Sequence, residues 1–591
     1  FNGTAILRYG PGITIDLSSR LVTGNSSVTA VIDTDGNDIA FGTELALIGG
    51  LEKRGVSTLT FTAAGQSNVG VLYVSKGELA LPTGTLNVTG AASVWTYGPN
   101  SVYLRDAVLR INGGTLSTSS SVLAGITRLQ PTLFTSWKLD ISSGSLLVGG
   151  DLRTTLGVVA PAPDPALLTI HGATTQVDVA GNLTVGEDTD QYAHISAGTV
   201  SVTGDLIVGR NSNSVLDISG GTVTAASLRH ENTDFGVVNL TGGVVTVGEV
   251  VLQTASITQG GLTVNLDVGG LLLTDRMYLD RTAGTTGTHT FEFRFDGGTL
   301  RPQSSGNLMD DIVVAPGAGG ALFWYGVIED GGALIDTSGL DANVLRPLLH
   351  DAALGMVSDG GLTKLGVGTL TLMADCGPDG FTGPATVVED TLALVNTASN
   401  NIIAQAHTID VRFGAFLDVT GLDNGPVTGT LILADGQTLT GEGTVDGKVI
   451  AGSGSTVAPG ADTGVLIQNG DYSMDLGSSL NIQIGGNTPG NNDNQHDQMY
   501  VTGAVRLDGA ALNVTAFNGY VPQLGDAYVI IRNDADDAVT GTFAGLPEGT
   551  VLPNFLGSGL SARITYVYDY DLDGSNNDVA IIPFVAPSIG I

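Results

Sequence analysis

Short stretches of alternating apolar and polar residues recur along this chain, separated by small and polar turn residues. Between Leu109 and Leu252 they form six similar repeats, with apolar anchors at Ile111, Ile141, Ile170, Ile195, Ile218 and Leu240. Neighbouring anchors are 30, 29, 25, 23 and 22 residues apart. A period of two predicts β-strands, and three short strands per repeat predict one turn of a stacked repeat protein. The pattern therefore predicts an all-β fold, a right-handed parallel β-helix (β-solenoid) with a β-rich C-terminal segment.

Two further columns follow from the same alignment. One position admits only the smallest residues: Gly114, Gly144, Ala173, Gly198, Gly221 and Gly243. A crowded corner, often with a positive φ, explains this restriction. The residues just before the anchors are Arg110, Asp140, Thr169, His194, Asp217 and Asn239. Alternation points these side chains outward, so we expect a polar ladder with about 4.8 Å between strands.

The 591 residues divide into three predicted parts. Residues 1–340 form an N-terminal β-solenoid with repeats of 22 to 30 residues, and residues 341–485 continue it. Residues 486–591 form a β-rich capping or assembly segment. Within the second part, "NVLRPLLHDAAL", Asn343 to Leu354, predicts a short surface helix.

Composition narrows the class of protein. The chain contains 86 glycines and carries a net charge of −35, which argues against nucleic acid and anionic membranes as partners. No apolar run has the length of a membrane span, and the start "FNGTAILRYG" favours a processed, exported chain. The single cysteine, Cys376, excludes an intrachain disulfide. We expect a secreted, highly soluble protein that attracts divalent cations.

A sequence that occurs twice carries a family resemblance. "GGLEKRGVSTLTF", Gly49 to Phe61, returns as "GGLTKLGVGTLTL", Gly360 to Leu372, which is followed by "FTGPATVVEDTLALVN". These units resemble the autotransporter-associated β-strand repeat of bacterial surface and secreted proteins. The segment Gln437 to Gly486, with its "APG" step, resembles the closing turns of autotransporter passenger domains. The resemblance implies a β-helix outside the cell or at the bacterial cell surface, and its members include adhesins, protease stalks and plain scaffolds.

One loop carries a candidate metal site. In "DYDLDGSNNDVA", Asp569 to Ala580, carboxylates and an amide follow the spacing of an EF-hand calcium loop, but the twelfth position is Ala580 instead of Glu. The candidate calcium ligands are Asp569, Asp571, Asp573 and Asn577. The alternative is a solvated connection between strands. We expect no cofactor apart from this calcium.

A second loop, "GGNTPGNNDNQHDQ", brings Asp493, His496 and Asp497 together. Its Pro and Asn content predicts an exposed turn before the C-terminal segment, with a metal site as the less favoured alternative.

The absence of a convincing catalytic motif favours a structural protein. Apolar strand-like segments lie at both ends, Phe1 to Ser19 and Val579 to Ile591, and predict head-to-tail self-assembly into a filament, sheath or surface layer. Alternatively, each segment folds back on its own chain, with Pro583 and Pro587 protecting the sheet edge.

Two other functions stay open. An adhesin would bind a glycan or a cell-surface ligand through the longer loops Asn100 to Asp106, Thr127 to Lys138 and Asp188 to Tyr192. A polysaccharide lyase or hydrolase would use ladder pairs, Arg110 with Asp140 or His194 with Asp217, for acid–base chemistry. The chain has only three tryptophans to form sugar platforms, Trp95, Trp137 and Trp324, so we expect it not to be an enzyme.

Overall fold

The computed structural model describes residues 1–3, 5–90, 92–94, 107–125, 137–155, 168–187, 190–232, 234–254, 259–281, 286–315, 319–396, 401–423, 428–490, 494–534, 537–572 and 574–586. They form an all-β protein, as predicted. Contacts divide it into two compact units, one of residues 1–294, 298–303 and 311–325, the other of residues 295–297, 304–310 and 326–591.

The strands are short where the repeats turn sharply and long where one strand runs through two sides of a repeat. Strands β1 to β28 are, in chain order, Ile6–Arg8, Thr29–Asp33, Ile39–Phe41, Gly50–Arg54, Thr58–Phe61, Gln66–Val69, Leu72–Val74, Gly77–Leu81, Thr85–Val88, Ala92–Val94, Ala107–Thr118, Val122–Gly125, Trp137–Val148, Leu152–Thr155, Leu168–Ile170, Gln176–Val179, Leu183–Val185, Gln191–Ile195, Thr199–Val202, Asp205–Arg210, Ser214–Glu231, Asp234–Thr254, Gly260–Asp267, Gly270–Arg281, His289–Asp296, Thr299–Pro302, Gly306–Met309 and Val313–Val314.

Strands β29 to β56 follow in the same way: Leu322–Ile328, Ala333–Asp336, Ala342–Val344, Leu348–His350, Leu362–Leu365, Leu370–Leu372, Ala385–Val387, Thr391–Asn396, Thr408–Val411, Phe416–Leu422, Thr430–Leu433, Thr438–Gly441, Thr444–Asp446, Lys448–Ala451, Thr456–Pro459, Val465–Asn469, Tyr472–Met474, Ser479–Ile484, Thr488–Pro489, Gln495–His496, Gln498–Val501, Val505–Asp508, Ala511–Ala516, Tyr528–Asn533, Thr540–Thr542, Val551–Leu552, Ser561–Tyr568 and Asp578–Phe584. Four single-turn 3-10 helices lie in the described part, at Ser18–Arg20, Ala352–Leu354, Gly377–Asp379 and Phe555–Gly557. No described helix has the length and apolar character needed to cross a bilayer.

Parallel pairing between strands one repeat apart builds the first unit. The anchors of successive repeats are register partners, in the order Ile111, Ile141, Ile170, Ile195, Ile218 and Leu240. Each is buried, so the anchors form a continuous apolar column inside the stack. The predicted anchor register is therefore confirmed.

The column of small residues is confirmed with one adjustment. Gly144, Gly198, Gly221 and Gly243 all have a positive φ, between 77° and 87°. In the repeat that carries Ala173 the positive φ belongs to the preceding residue, Gly172, at 95°. A Cβ on Gly144 would lie 2.1 Å from the carbonyl oxygen of Gly114, so close stacking of turns excludes a side chain here. Gly114 itself lacks the positive φ, which its neighbour Gly113 adopts instead.

In the second unit, the described strands up to β52 and β53 pair mainly in parallel, with an antiparallel exception between β46 and β48. Strand β56 pairs antiparallel with both β52 and β55, and β55 pairs antiparallel with β54. The C-terminal segment is therefore β-rich, as expected, with an antiparallel end.

The predicted surface helix at Asn343 to Leu354 is wrong for most of its length. Residues Ala342–Val344 and Leu348–His350 are strands, and only Ala352–Leu354 forms a 3-10 turn. The first of these strands pairs with Leu370–Leu372, which satisfies its backbone in the sheet. Pro347 cannot donate a helical hydrogen bond, and stacking on neighbouring repeats outweighs the local helical tendency.

Candidate functional sites

The twice-used sequence places a lysine inside the protein. The Lys53 side chain is fully buried, and its Nζ donates to the carbonyl oxygens of Arg54 (2.8 Å), Gly55 (2.9 Å) and Lys76 (3.0 Å). Burial lowers the pKa of Lys53 to about 7. Thr34 caps the same turn, since its Oγ1 donates to the carbonyl of Arg54 at 3.2 Å. The lysine thus closes a turn whose carbonyls face inward.

The second copy repeats this geometry in the other unit. Lys364 is fully buried, and its Nζ donates to the carbonyl oxygens of Gly366 and Glu389 and to Thr337 Oγ1. Thr337 is the counterpart of Thr34, because both follow an "ID" pair. Burial lowers the pKa of Lys364 as well. The shared sequence is therefore a structural corner motif with a lysine as its polar centre.

The predicted polar ladder is also in register. Arg110, Asp140, Thr169, His194, Asp217 and Asn239 are successive strand partners, and Asn265 extends the row by one repeat.

At one end of the ladder the side chains form a chain of ion pairs. Arg110 contacts Glu78 at 2.9 Å and Asp140 at 2.9 Å. His171 Nε2 lies 2.8 Å from the other oxygen of Asp140. Because Arg110 and His171 close over it, the Asp140 side chain is only 5% exposed, and it departs from the expected outward, solvated position.

The other end of the ladder is held by hydrogen bonds from uncharged donors. Asp217 accepts from the Tyr192 hydroxyl and from Asn239 Nδ2, the latter at 2.6 Å. Asn265 Nδ2 in turn donates to Asn239 Oδ1 at 2.6 Å. The hydrogen bond from Tyr192 to Asp217 raises the pKa of the Tyr192 hydroxyl to about 12.

The side chains of both pairs considered for acid–base chemistry are held in contacts with further residues of the ladder and its surroundings. Asp140 is shared between a guanidinium and an imidazole, and His194 Nε2 lies 2.9 Å from Ser219 Oγ instead of the carboxylate beside it. Trp324, a candidate sugar platform, is buried and stacked on Phe291 with ring centroids 4.0 Å apart. These contacts tie neighbouring repeats together, which is a structural role.

The four candidate calcium ligands are only partly brought together. Asp571 is bonded by Arg532, with Nε and Nη2 at 3.2 and 3.1 Å from its carboxylate. Asp569 accepts from the backbone amide of Gly574 at 3.2 Å. Asp573 lies outside the described residues.

The fourth candidate, Asn577, is buried and accepts from Ser575 Oγ at 2.8 Å. Across the described part of the chain, no group of three or more His, Cys, Asp or Glu side chains has the arrangement of a metal site. Calcium at this loop stays a prediction, and binding would require Asp571 to leave Arg532.

The expected exposed turn at Asp493, His496 and Asp497 is wrong for its last two members. His496 and Asp497 are buried, and Asp493 lies outside the described residues. Asp497 accepts from the backbone amides of Gly464 (2.8 Å) and Gln483 (2.6 Å), which fix it inside the stack. Burial raises the pKa of Asp497 to about 8 and lowers that of His496.

The apolar terminal segments are built into the chain's own sheets. Strand β1 pairs in parallel with β2, and the Phe1 amino group donates to the Val22 carbonyl at 2.7 Å. The strand Asp578–Phe584 lies between β52 and β55, with Pro583 opposite Ala562. Both described segments therefore fold back, the alternative left open by the sequence. Pro587 lies outside the described residues.

The adhesin loops fall largely outside the described residues, which omit 100–106, 127–136 and 188–189. Trp95 is omitted as well. The buried lysines were missed by sequence reasoning, although alternation signals them. In "LEK" and "LTK" the lysine has the same parity as a buried leucine two positions earlier. No protein-family model and no curated protein matches this chain.

Proposed function

We propose that this chain is a right-handed parallel β-helix related to the autotransporter-associated repeat proteins, and that it serves as an extracellular structural protein of a bacterial cell surface. The proposal rests on what the polar side chains of the chain contact. Ladder residues, buried lysines and buried carboxylates all bind neighbouring repeats or turns. A stack held together this way suits a scaffold.

The proposal includes head-to-tail self-association into a filament, sheath or surface layer. Strand β1 has one partner in the described part of the chain, β2. Tyr9 N–H donates to the Asp33 carbonyl. Backbone N–H groups of successive residues point alternately to the two sides of a strand. The N–H groups of Ile6 and Arg8 therefore point away from β2. Ile6, Ile13 and Ile15 are also exposed, so this edge combines strand pairing with apolar surface.

The test compares Ile6→Pro with Ile6→Val. Proline removes an outward N–H while leaving the bonds to β2, whereas valine keeps both strand pairing and apolar character. Sedimentation velocity over a concentration series and negative-stain electron microscopy should show ordered polymers for the unmodified chain and for Ile6→Val, and single particles for Ile6→Pro. Single particles in all three proteins would refute self-association. Polymers in all three proteins would show that the contact between copies does not involve β1.

A further inference from the structure

The second corner motif contains extra residues that the first motif lacks. Lys53 follows Thr34 by 19 positions, whereas Lys364 follows Thr337 by 27, a difference of eight. Both lysines nevertheless reach the same kind of buried turn. The extra residues are therefore not needed to build the corner.

The inserted residues form a loop closed by a buried ion pair. His350 Nδ1 lies 2.8 Å from Asp359 Oδ2, and His350 Nε2 lies 3.2 Å from the carbonyl oxygen of Gly355. The Asp359 side chain is 0% exposed and that of His350 is 15% exposed. One imidazole thus joins the start of the loop to its end and to its middle.

Asp359 is itself rigidly held. Its carboxylate accepts from the backbone amides of Gly361 (2.9 Å), Thr382 (2.8 Å) and Gly383 (2.9 Å), and from Thr382 Oγ1 at 3.1 Å. Thr382 and Gly383 belong to the neighbouring repeat, and together with Gly361 they keep the carboxylate fixed under His350. Any change in the contact must therefore come from the imidazole or from the loop.

The tip of the loop is apolar and exposed. Met356 is fully exposed and Val357 is 65% exposed, directly after the carbonyl that faces His350. A 3-10 turn, Ala352–Leu354, precedes the tip, and the Asp351 side chain caps it by accepting from the Ala353 amide at 3.1 Å.

We propose that His350 and Asp359 form a pH-dependent latch that holds the loop from Asp351 to Ser358 and fixes its exposed tip. A protonated imidazole donates to both Asp359 and Gly355, whereas a neutral imidazole has one N–H. The carboxylate keeps that proton on Nδ1, so Nε2 then presents a lone pair to the Gly355 carbonyl. Loss of this bond releases the middle of the loop while its base stays in place.

The direction of the pH effect follows from the surroundings of His350. Burial lowers its pKa, but the hydrogen bonds to Asp359 and Gly355 outweigh burial and raise the pKa above the ordinary value of 6.5. The charged groups that face the ring are the carboxylates of Asp359 and Asp351. A raised folded-state pKa means that the latch is fully present below pH 6.5 and is lost as the pH rises through the folded value.

The experiment uses the full chain labelled with methyl-13C methionine, since six methionines give few resonances. The Met356 methyl signal, assigned with Met356→Leu, should change between about pH 5.5 and about pH 8.5 with the midpoint of the His350 ring signal. Met373, 40% exposed in the same unit, is the matched control and should not follow that midpoint. Buried Met474 and Met499 report that the fold is intact.

Three variants decide the outcome. His350→Gln should make the Met356 signal independent of pH. Asp359→Asn removes the carboxylate and should lower the midpoint of the pH transition. Asp351→Asn is a milder change and should lower the midpoint less. It replaces Asp359→Asn in the test if that variant does not fold. A Met356 signal that is constant across the pH range, or a midpoint unmoved in the folded variants, would overturn the latch. This result is independent of whether the chain forms polymers.

Discussion

Replacing one glycine of the small-residue column by alanine tests whether the repeats are stacked as tightly as the structure shows. Gly243 has φ = 77°, and a Cβ there would lie 2.6 Å from the carbonyl oxygen of Gly221 in the previous repeat. Gly269, in the next repeat, has φ = 92°, but its nearest neighbour to a Cβ is 3.4 Å away. The two positions share backbone strain and differ in crowding.

The magnitude follows from separating these two costs. An L-residue at a positive φ costs about 1–2 kcal/mol, which applies to Gly243→Ala and Gly269→Ala alike. A Cβ 2.6 Å from a carbonyl oxygen forces the two turns apart, and such overpacking typically costs a further 1–3 kcal/mol or so. We therefore expect Gly243→Ala to destabilise its repeats by about 2–5 kcal/mol and Gly269→Ala by about 1–2 kcal/mol.

Hydrogen exchange measured by mass spectrometry gives a local readout, which suits a protein whose repeats contact mainly their neighbours. Peptides from Ser214–Glu231 and Asp234–Thr254 should exchange roughly 5- to 140-fold faster in Gly243→Ala than in Gly269→Ala, since the crowding cost of about 1–3 kcal/mol separates the two variants and each 1.4 kcal/mol is about tenfold. Peptides around Lys364, in the other unit, should be unchanged and provide an internal reference. Equal effects of the two substitutions would refute the argument, because crowding between turns would then contribute nothing.

Three further predictions follow from local geometry. In the repeat with the exceptional alanine, Gly172→Ala should destabilise by about 2–5 kcal/mol, because φ is positive and a Cβ there would lie 1.9 Å from the Ser142 carbonyl oxygen, whereas Ala173→Gly should leave the melting temperature almost unchanged. A larger effect of Ala173→Gly would show that Gly172 is not the strained residue. Amine-reactive labelling of the native protein should modify half-buried Lys76 and spare Lys53, as mass mapping of the modified peptides would show. The calcium hypothesis predicts that millimolar-range Ca²⁺ raises the melting temperature and that Asp573→Asn abolishes the rise; an unchanged melting temperature in the unmodified chain would contradict it.

The parts of the fold that sequence predicted well are those in which one position repeats at every turn. Ile195 and Ile218 occupy equivalent buried positions and are register partners, so the repeated alternation fixes which side they face and how they align. The ladder followed for the same reason, because His194 and Asp217 precede those anchors by one residue. Periodic contacts need no knowledge of distant parts of the chain.

The misjudged sites depend on neighbours that the local sequence does not show. The loop before Asp497 has the Pro and Asn content of an exposed turn, yet amides 33 and 14 positions earlier, at Gly464 and Gln483, bind the carboxylate inside. The helix expected near Leu348 failed because that residue pairs with Gly326 of the previous repeat. Composition describes the tendency of an isolated segment. In the stack, each segment also binds the backbone of the neighbouring repeat, and this pairing can override the local tendency.

The buried lysines show how an acidic chain uses its few cations. A turn between strands leaves carbonyl oxygens facing inward, where a neighbouring strand cannot reach all of them. An ammonium group offers three donors from one point, and Lys53 and Lys364 each supply donors to three oxygens in this way. Arg281 is likewise buried and donates to the carbonyls of Gly287 and Gly319. Buried carboxylates such as Asp359 and Asp497 balance these buried cations, so the net charge of −35 lies essentially on the surface. Neighbouring copies in an assembly would therefore repel one another except where apolar edges or bound cations compensate, so raising the salt concentration should promote association of this chain instead of weakening it.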